Sequence, residues 1–175
     1  EIIAGRYLSL KDIRRDYPYL VIHHRAKLQS LINEHNPIAF SELVPAKVIW
    51  LYGRSGAGKS CLNSRILKER GYQDQDISYL KSDLETVCWF DYSDENKRAL
   101  VCEEVRSEWP KYNSLINWID KKSFLPVKGS LIRNNFELII INSLDKPEEV
   151  YADVPLKRRI EPLRRIYSGE VYHVE

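Results

Sequence analysis

The sequence predicts an α/β fold in which a central parallel sheet is flanked by helices and preceded by a small N-terminal helical bundle. Two observations predict the sheet: short apolar runs recur along the chain, and helical stretches separate them. The 175 residues, 43% hydrophobic and 30% charged, suffice for one packed core. No window approaches the ~20 apolar residues that cross a bilayer, so we expect an intracellular protein with no membrane partner.

Residues 1–45 are predicted to be helical. One stripe of positions recurs at steps of four and three, namely Tyr17, Val21, His24, Leu28 and Leu31. Asn36-Pro37 ends this pattern, because the residue before proline is disfavoured in a helix. The stripe alone leaves two alternatives open: the helix packs on the main core, or it packs on a neighbouring subunit.

Strands and helices alternate from Val48 onward. The apolar runs predicted as buried strands are Val48–Tyr52, Val87–Phe90, Ala99–Cys102 and Phe136–Ile141. Helices are predicted from Lys59 to Arg70, closed by Gly71, and from Tyr112 to Ile119. This alternation is typical of a parallel sheet that is covered on both faces.

Residues 53–60, here called the phosphate loop, fit the pattern G-x-x-x-x-G-K-[ST] between a predicted strand and a predicted helix. Such a loop turns backbone N–H groups toward phosphate oxygens, and the helix N-terminus favours the same anion. Lys59 should reach the β- and γ-phosphates, and the Ser60 hydroxyl should hold Mg²⁺. The predicted nucleotide-binding residues are Gly53, Arg54, Ser55, Gly56, Ala57, Gly58, Lys59, Ser60 and Cys61.

A pair of acids follows the next predicted strand. Ala99–Cys102 ends in Glu103-Glu104, as in a Walker B arrangement. There the first acid belongs to the Mg²⁺ shell and the second polarises the attacking water. The alternative is a pair of solvated glutamates that begins a helix. The preceding strand and the phosphate loop favour the catalytic interpretation.

Overall charge and the cysteines constrain less. The chain has 27 Lys and Arg against 25 Asp and Glu, a net charge of +2, so any DNA site must be local. Cys61, Cys88 and Cys102 are widely spaced, so we expect reduced thiols in the core rather than a disulfide framework or zinc site. Because the sequence contains no methionine, we expect it to be a piece of a longer protein.

With these motifs in place, the chain resembles the superfamily 3 helicase domain of replication initiator (Rep) proteins from circular single-stranded DNA viruses and related bacterial plasmids. The most specific element is Trp89-Phe90-Asp91-Tyr92 before the Walker B strand, and Pro110 falls where that family has a proline. The resemblance implies an AAA+-like P-loop NTPase that uses ATP and Mg²⁺. It also implies a homo-oligomeric, hexameric ring that moves 3′ to 5′ on single-stranded DNA.

The resemblance also implies roles for basic residues. Lys128-Gly129, 24 residues after Glu104, matches a motif whose lysine lies on a β-hairpin and grips the DNA backbone. Lys121 and Lys122 could add to the same DNA-binding channel. From the residues alone, solvated surface is the default interpretation of Lys128, and only its spacing within the family pattern favours DNA binding.

Two further motifs complete the resemblance. Asn142 lies in a segment similar to motif C, where a polar residue orients water or senses the phosphate; an ungapped match places Leu144 at the family's asparagine. Arg158 and Arg159 resemble the Arg-Arg-Ile segment, in which an arginine finger reaches the neighbouring subunit's ATP. Arg158 is preferred as the finger, and a charged helix face is the alternative.

The family's helical oligomerisation collar is similar to residues 14–34, which favours packing on a neighbouring subunit. We divide the chain into a collar at 1–45 and a P-loop helicase domain at 46–175, with the family's upstream nicking endonuclease domain absent from this chain. Composition favours a bacterial cytoplasm, and a viral source would imply the host nucleus.

Several alternatives are weighed against this interpretation. A GTPase is disfavoured, because Asn96-Lys97 is followed by Arg98-Ala99 instead of completing Asn-Lys-x-Asp. A small-molecule kinase would need an acceptor pocket that the sequence does not reveal. An RNA-virus-type superfamily 3 NTPase and a DNA-loading ring that does not unwind both remain open.

Overall fold

The structure is a computed structural model that describes residues 7, 10–35, 44–81, 90, 96–106, 109–121, 124–127, 130–155 and 163–175. The strands are β1 Lys47–Tyr52, β2 Ile77–Lys81, β3 Ala99–Val105, β4 Leu125–Val127, β5 Ser130–Ile132, β6 Leu138–Ser143 and β7 Glu170–His173. The helices are α1 Leu10–Asp16, α2 Pro18–His35, α3 Lys59–Glu69, α4 Tyr112–Asp120 and α5 Pro147–Val150. A further helical turn covers residues 163–167.

Five of these strands form one parallel sheet in the order β2-β3-β6-β1-β7. The predicted parallel α/β sheet is therefore confirmed. Strands β2 and β7 lie at its two edges and were not predicted. β4 and β5 form a separate antiparallel hairpin. Of the predicted strand Val87–Phe90, only Phe90 lies within the described residues.

Side chains alternate between the two faces of the sheet. On one face, Leu67 of α3 packs with Ile49, Val101 and Ile140. On the other face, α4, α5 and the 163–167 turn cover a second cluster that includes Trp50 and Ile141. Because both faces are covered, the central strands are apolar along their whole length, which explains why they were predicted from the sequence.

The connections place a crevice between β1 and β6. From β1 the chain passes through α3, on one face, to β2 at the far edge of the sheet. From β6 it passes through α5 and the 163–167 turn, on the opposite face, to β7. Connections that leave neighbouring strands in opposite directions open a crevice at their carboxyl ends, where α/β proteins bind ligands.

Four predicted strand ends differ from the structure. β1 begins one residue earlier, at Lys47, and β6 ends two residues later, at Ser143. β3 was predicted to end at Cys102 but continues to Val105, and β6 begins at Leu138 rather than Phe136. Phe136 stays outside the strand because its N–H donates to Oδ1 of Asn134, whose amide in turn donates to the Trp118 carbonyl. That local turn competes with sheet pairing.

The N-terminal helices α1 and α2 build a small cluster of their own around Tyr7, Ile13 and Ile32. The predicted stripe is confirmed only in part: Val21 and Leu28 pack against this cluster, whereas His24 and Leu31 are exposed. His24 has non-helical backbone angles (φ −130°, ψ 23°), and this kink changes which side chains face inward. Leu31 is 38% exposed, whereas Ile32 is 1% exposed.

Tyr17 likewise lies exposed between α1 and α2 rather than on a buried stripe. α2 also contacts β5 of the hairpin. No helix in the described ranges is both long enough and apolar enough to span a membrane.

Candidate active site

The phosphate loop follows β1 at the crevice between β1 and β6 and leads directly into α3. Three of its glycines have positive φ, at 148° for Gly53, 82° for Gly56 and 90° for Gly58. A side chain at Gly53 would also overlap the carbonyl oxygen of Val174. The sequence places glycine where the backbone turns in ways that other residues rarely adopt.

Lys59 lies within the curve of this loop. Its ammonium donates to the carbonyl oxygens of Gly53 at 2.6 Å and Arg54 at 2.8 Å. These bonds fold the side chain back over the loop rather than away into solvent. The ammonium is thereby held beside the N-terminus of α3, where the helix dipole also favours an anion.

The remaining predicted loop residues are accessible. Arg54, Ser55, Gly56 and Ser60 are exposed, and Ala57 is half-buried. Cys61, in the first turn of α3, is exposed too, so the prediction of a buried thiol is wrong there. Cys102 is buried, and Cys88 lies outside the described residues.

The acidic pair occupies an irregular step in β3. Cys102 pairs with Ile141 and Val105 pairs with Ser143, so Glu103 and Glu104 together stand opposite the single residue Asn142. This β-bulge inserts one extra residue and turns the two acids in different directions. Bulges are frequent beside active sites for this reason.

The bulge separates the environments of the two glutamates. Glu103 is half-buried and points to the α3 face of the sheet, where it contacts Asn63 and Asn142. Glu104 has a φ of 57° and an exposed carboxylate 3.4 Å from the guanidinium of Arg106. A positive φ is strained for glutamate, and such strain concentrates at functional sites.

Two asparagine amides converge on one oxygen of Glu103. Asn142 Nδ2 donates to Oε1 at 3.0 Å, and Asn63 Nδ2 lies 3.4 Å from the same oxygen. Both asparagines are almost fully buried, at 2% and 3% exposure. We call these three residues the Glu103 cluster. It joins the three elements α3, β3 and β6 at the carboxyl end of the sheet.

Each asparagine in the Glu103 cluster has an unsatisfied amide oxygen. Asn63 Oδ1 and Asn142 Oδ1 are buried without a hydrogen-bond partner among the described residues. An unpaired buried acceptor costs roughly 1–3 kcal/mol, so its retention calls for an explanation. Sequence reasoning found Glu103 and Asn142 but missed Asn63. The available signal was its spacing, because the fourth residue after Lys59 shares a face of α3 with it.

The candidate DNA-binding lysines divide by position. β4 and β5 pair on either side of positions 128–129, so a hairpin stands where the resemblance implied one. Lys128 and Lys122 themselves lie outside the described residues. Lys121 caps the C-terminus of α4 in the left-handed conformation, and partial burial lowers the pKa of its ammonium.

Several other predicted positions lie outside the described residues, namely Trp89, Asp91, Tyr92, Arg158 and Arg159. Leu144, the alternative motif C position, follows β6 with its side chain 51% exposed. Asn142 is buried beside an acid, whereas Leu144 faces outward. The geometry therefore favours Asn142 over Leu144 as the polar residue at this strand end.

At the opposite end of the sheet, Glu170 ties α3 to β1 and β7. Its carboxylate accepts from Arg70 at 2.8 Å and Tyr172 at 2.7 Å, and it forms an ion pair with Lys47. These partners, with the Lys47 hydrogen bond contributing most, lower the pKa of Glu170 to about 2. This ion pair network fixes the end of the helix that begins at the phosphate loop.

No protein-family model matches the chain, and no curated protein is significantly similar to it. The functional argument therefore depends on the geometry of the site and on the motifs within the sequence.

Proposed function

We propose that the chain is the ATP-hydrolysing domain of a DNA helicase similar to those of Rep-type replication initiators. One observation carries the ATPase part of the proposal. The phosphate loop leads into α3 at the crevice of a parallel sheet, and Asn142 and Glu103 lie near the carboxyl ends of two successive strands beside β1, namely β6 and β3. This combination supplies an anion cradle beside a carboxylate and an amide.

The side chains present fit a nucleotide with Mg²⁺. Ser60, Glu103 and the two buried amides offer oxygen atoms, the ligands that Mg²⁺ prefers. The described residues contain no cluster of three His, Cys, Asp or Glu side chains at metal-binding geometry. Mg²⁺ at nucleotide sites does not need one, because phosphates and waters complete its shell. A bound Mg²⁺ supplies charge neutralisation at the β- and γ-phosphates.

Each residue then has a defined part in hydrolysis. Lys59 exchanges its two loop carbonyls for β- and γ-phosphate oxygens, and Ser60 and Glu103 hold Mg²⁺. Glu104, on the exposed side of the bulge, polarises the attacking water. Asn142 orients that water or senses the γ-phosphate from the adjacent strand.

The helicase part of the proposal is supported by the resemblance. A ring of identical subunits, six by resemblance, would place Arg158 of one subunit at the ATP of its neighbour, with Arg159 as the second choice. Lys128, between β4 and β5, would contact the phosphates of single-stranded DNA without reading bases. Exposed tyrosine and isoleucine side chains on α2 are compatible with a collar between subunits.

The proposal is tested by measuring ATP hydrolysis with and without single-stranded DNA, and with Lys59→Ala as the blank. We expect turnover that DNA stimulates and that Lys59→Ala abolishes. Stimulation by RNA alone would instead support an RNA helicase. If the protein binds ATP but hydrolyses it no faster than Lys59→Ala, the result would support a ring that loads DNA without unwinding it, or hydrolysis that needs residues outside this chain.

Lys128→Ala separates translocation from hydrolysis. Because Lys128 is assigned to DNA and not to ATP, this variant should keep basal turnover and lose strand separation, as measured with a fluorescent forked duplex. Lys111→Ala, an exposed lysine at the start of α4, is the matched control. Normal unwinding by Lys128→Ala would contradict the DNA-binding assignment.

A further inference from the structure

We propose that Asn63 is a positioning residue for Glu103: its amide fixes Oε1 of the carboxylate and leaves Oε2 available to the water shell of Mg²⁺. This inference rests on the proposed nucleotide site. It goes beyond that site because Asn63 lies outside the phosphate loop pattern and belongs to none of the motifs that the sequence displays.

The hydrogen bonds define which oxygen is held. Both amide nitrogens, from Asn63 and Asn142, lie within 3.4 Å of the same atom, Oε1. Among the described residues, no hydrogen bond reaches Oε2. The cluster is therefore asymmetric: one carboxylate oxygen is fixed by two donors, while the other has none.

Asn63 has a role that Asn142 cannot share. Asn142 lies on β6 and links Glu103 to the neighbouring strand, whereas Asn63 lies on α3 one turn after Lys59 and Ser60. Its amide therefore couples the carboxylate to the helix that carries the phosphate loop. Outer partners of this kind orient ligands, and their loss typically lowers metal affinity or activity by 10–100-fold.

The unsatisfied oxygen of Asn63 argues against a purely structural role. A buried asparagine kept for stability would satisfy both ends of its amide, but Asn63 Oδ1 has no partner among the described residues. Around it, Leu67 and the partly buried Leu62 and Ile66 form an apolar face of α3. An apolar side chain of similar shape should therefore fit this position, because removing the unsatisfied Oδ1 offsets the lost hydrogen bond to Glu103, which keeps its bond from Asn142.

The test compares Asn63→Leu with the wild type in the binding of a fluorescent ATP analogue, first in EDTA and then as Mg²⁺ is added. Lys68→Gln, at an exposed position further along α3 and away from the phosphate loop, is the matched control. We expect Asn63→Leu to raise the Mg²⁺ concentration for half-maximal tightening about ten-fold. Affinity in EDTA should stay within about two-fold of the wild type, because Asn63 does not contact the phosphates. Tm should change little, because the lost bond to Glu103 is offset by removal of the unsatisfied Oδ1.

The outcomes separate this inference from the proposed function. If the wild type binds no analogue, or binds it no better than Lys59→Ala, the nucleotide site and the role of Asn63 both fail. If the wild type binds with Mg²⁺ dependence and Asn63→Leu keeps the same dependence, only the role of Asn63 fails. If Asn63→Leu lowers the affinity for the analogue equally with and without Mg²⁺, the role of Asn63 also fails, because that result indicates a distorted phosphate loop. Asn63→Ala, which adds no atoms, replaces the leucine variant if the latter does not fold.

Discussion

Two glutamates at opposite ends of the sheet have contrasting surroundings. Glu170, near the amino end of β1, is bound by Lys47, Arg70 and Tyr172, and its pKa falls to about 2. Glu103, at the carboxyl end of β3, contacts two neutral amides, and no described cationic side chain pairs with it. A carboxylate whose partners are all present stabilises the fold, whereas one held by neutral donors keeps its charge available for a ligand.

The neighbouring amides sharpen this contrast. Glu170 is bound by groups that gain from its negative charge, so the ion pair network is complete without any ligand. In the Glu103 cluster, the amide oxygens of Asn63 and Asn142 stay unsatisfied beside the acid. The molecule therefore tolerates an energetic cost at one end of the sheet that it avoids at the other, which is typical of a functional site.

Glu103→Gln should have the largest effect on function and little effect on folding. The variant loses the charge that the proposed Mg²⁺ site needs, so we expect ATP turnover to fall by about 100-fold. Stability should change by less than about 1 kcal/mol, because Asn63 or Asn142 can rotate its amide and accept from the new NH₂ group. Steady-state ATPase assays and urea unfolding measure the two quantities. Turnover close to the wild-type rate would contradict a functional role for Glu103 and thus the proposed difference between Glu103 and Glu170.

Glu170→Gln should show the reverse. Turnover per folded molecule should stay near the wild-type rate, while unfolding free energy at pH 7 falls by about 1–2 kcal/mol, since the amide cannot replace a carboxylate that binds two cations. Glu69→Gln, at the exposed last residue of α3, is the control for general charge removal. An equally large loss of unfolding free energy in the control would show that the ion pairs of Glu170 add no stability beyond a general effect of charge.

The stability difference between wild type and Glu170→Gln should also depend on pH. The folded-state pKa of about 2 lies below the ordinary value of 4.5, so the folded protein holds the ionised form more strongly than the unfolded chain does. The contribution is therefore complete above pH 4.5 and is lost as the pH falls from 4.5 toward 2. Urea unfolding of both proteins at a series of pH values measures it. A constant difference down to pH 2.5 would contradict the assigned ion pairs.

The sequence predicted the central features of this site because they are local patterns. The loop at residues 53–60 and the apolar runs of β1, β3 and β6 are each readable within a few residues. The edge strands β2 and β7 were missed because they pair on one side only and carry mixed polar and apolar side chains.

The bulge and the role of Asn63 could not be predicted in this way. The bulge at Glu103 and Glu104 is a change of register between β3 and β6, which are separated by more than thirty residues of chain. Asn63 acquires its meaning only when α3 packs beside the end of β3. Both are products of tertiary packing, and neither leaves a periodic signal in the sequence.

The smallest expected effect on stability comes from a substitution at the bulge, at Glu104. It tests whether the strain at the carboxyl end of the sheet serves function, in contrast to the ion pair network at the other end. Glu104 holds a φ of 57°, which glycine adopts without strain, so Glu104→Gly should preserve the bulge and lose only the side chain. We expect stability to rise or hold within about 0.5–1 kcal/mol, while ATP turnover falls as far as in Glu104→Gln, the matched variant that keeps the backbone strain. Thermal unfolding and ATPase assays of the two variants separate strain from chemistry. If Glu104→Gly lowers stability, then the side chain contacts of Glu104 stabilise the bulge. The bulge would then be a structural element, as the Glu170 network is, and its backbone strain would not be explained by catalysis.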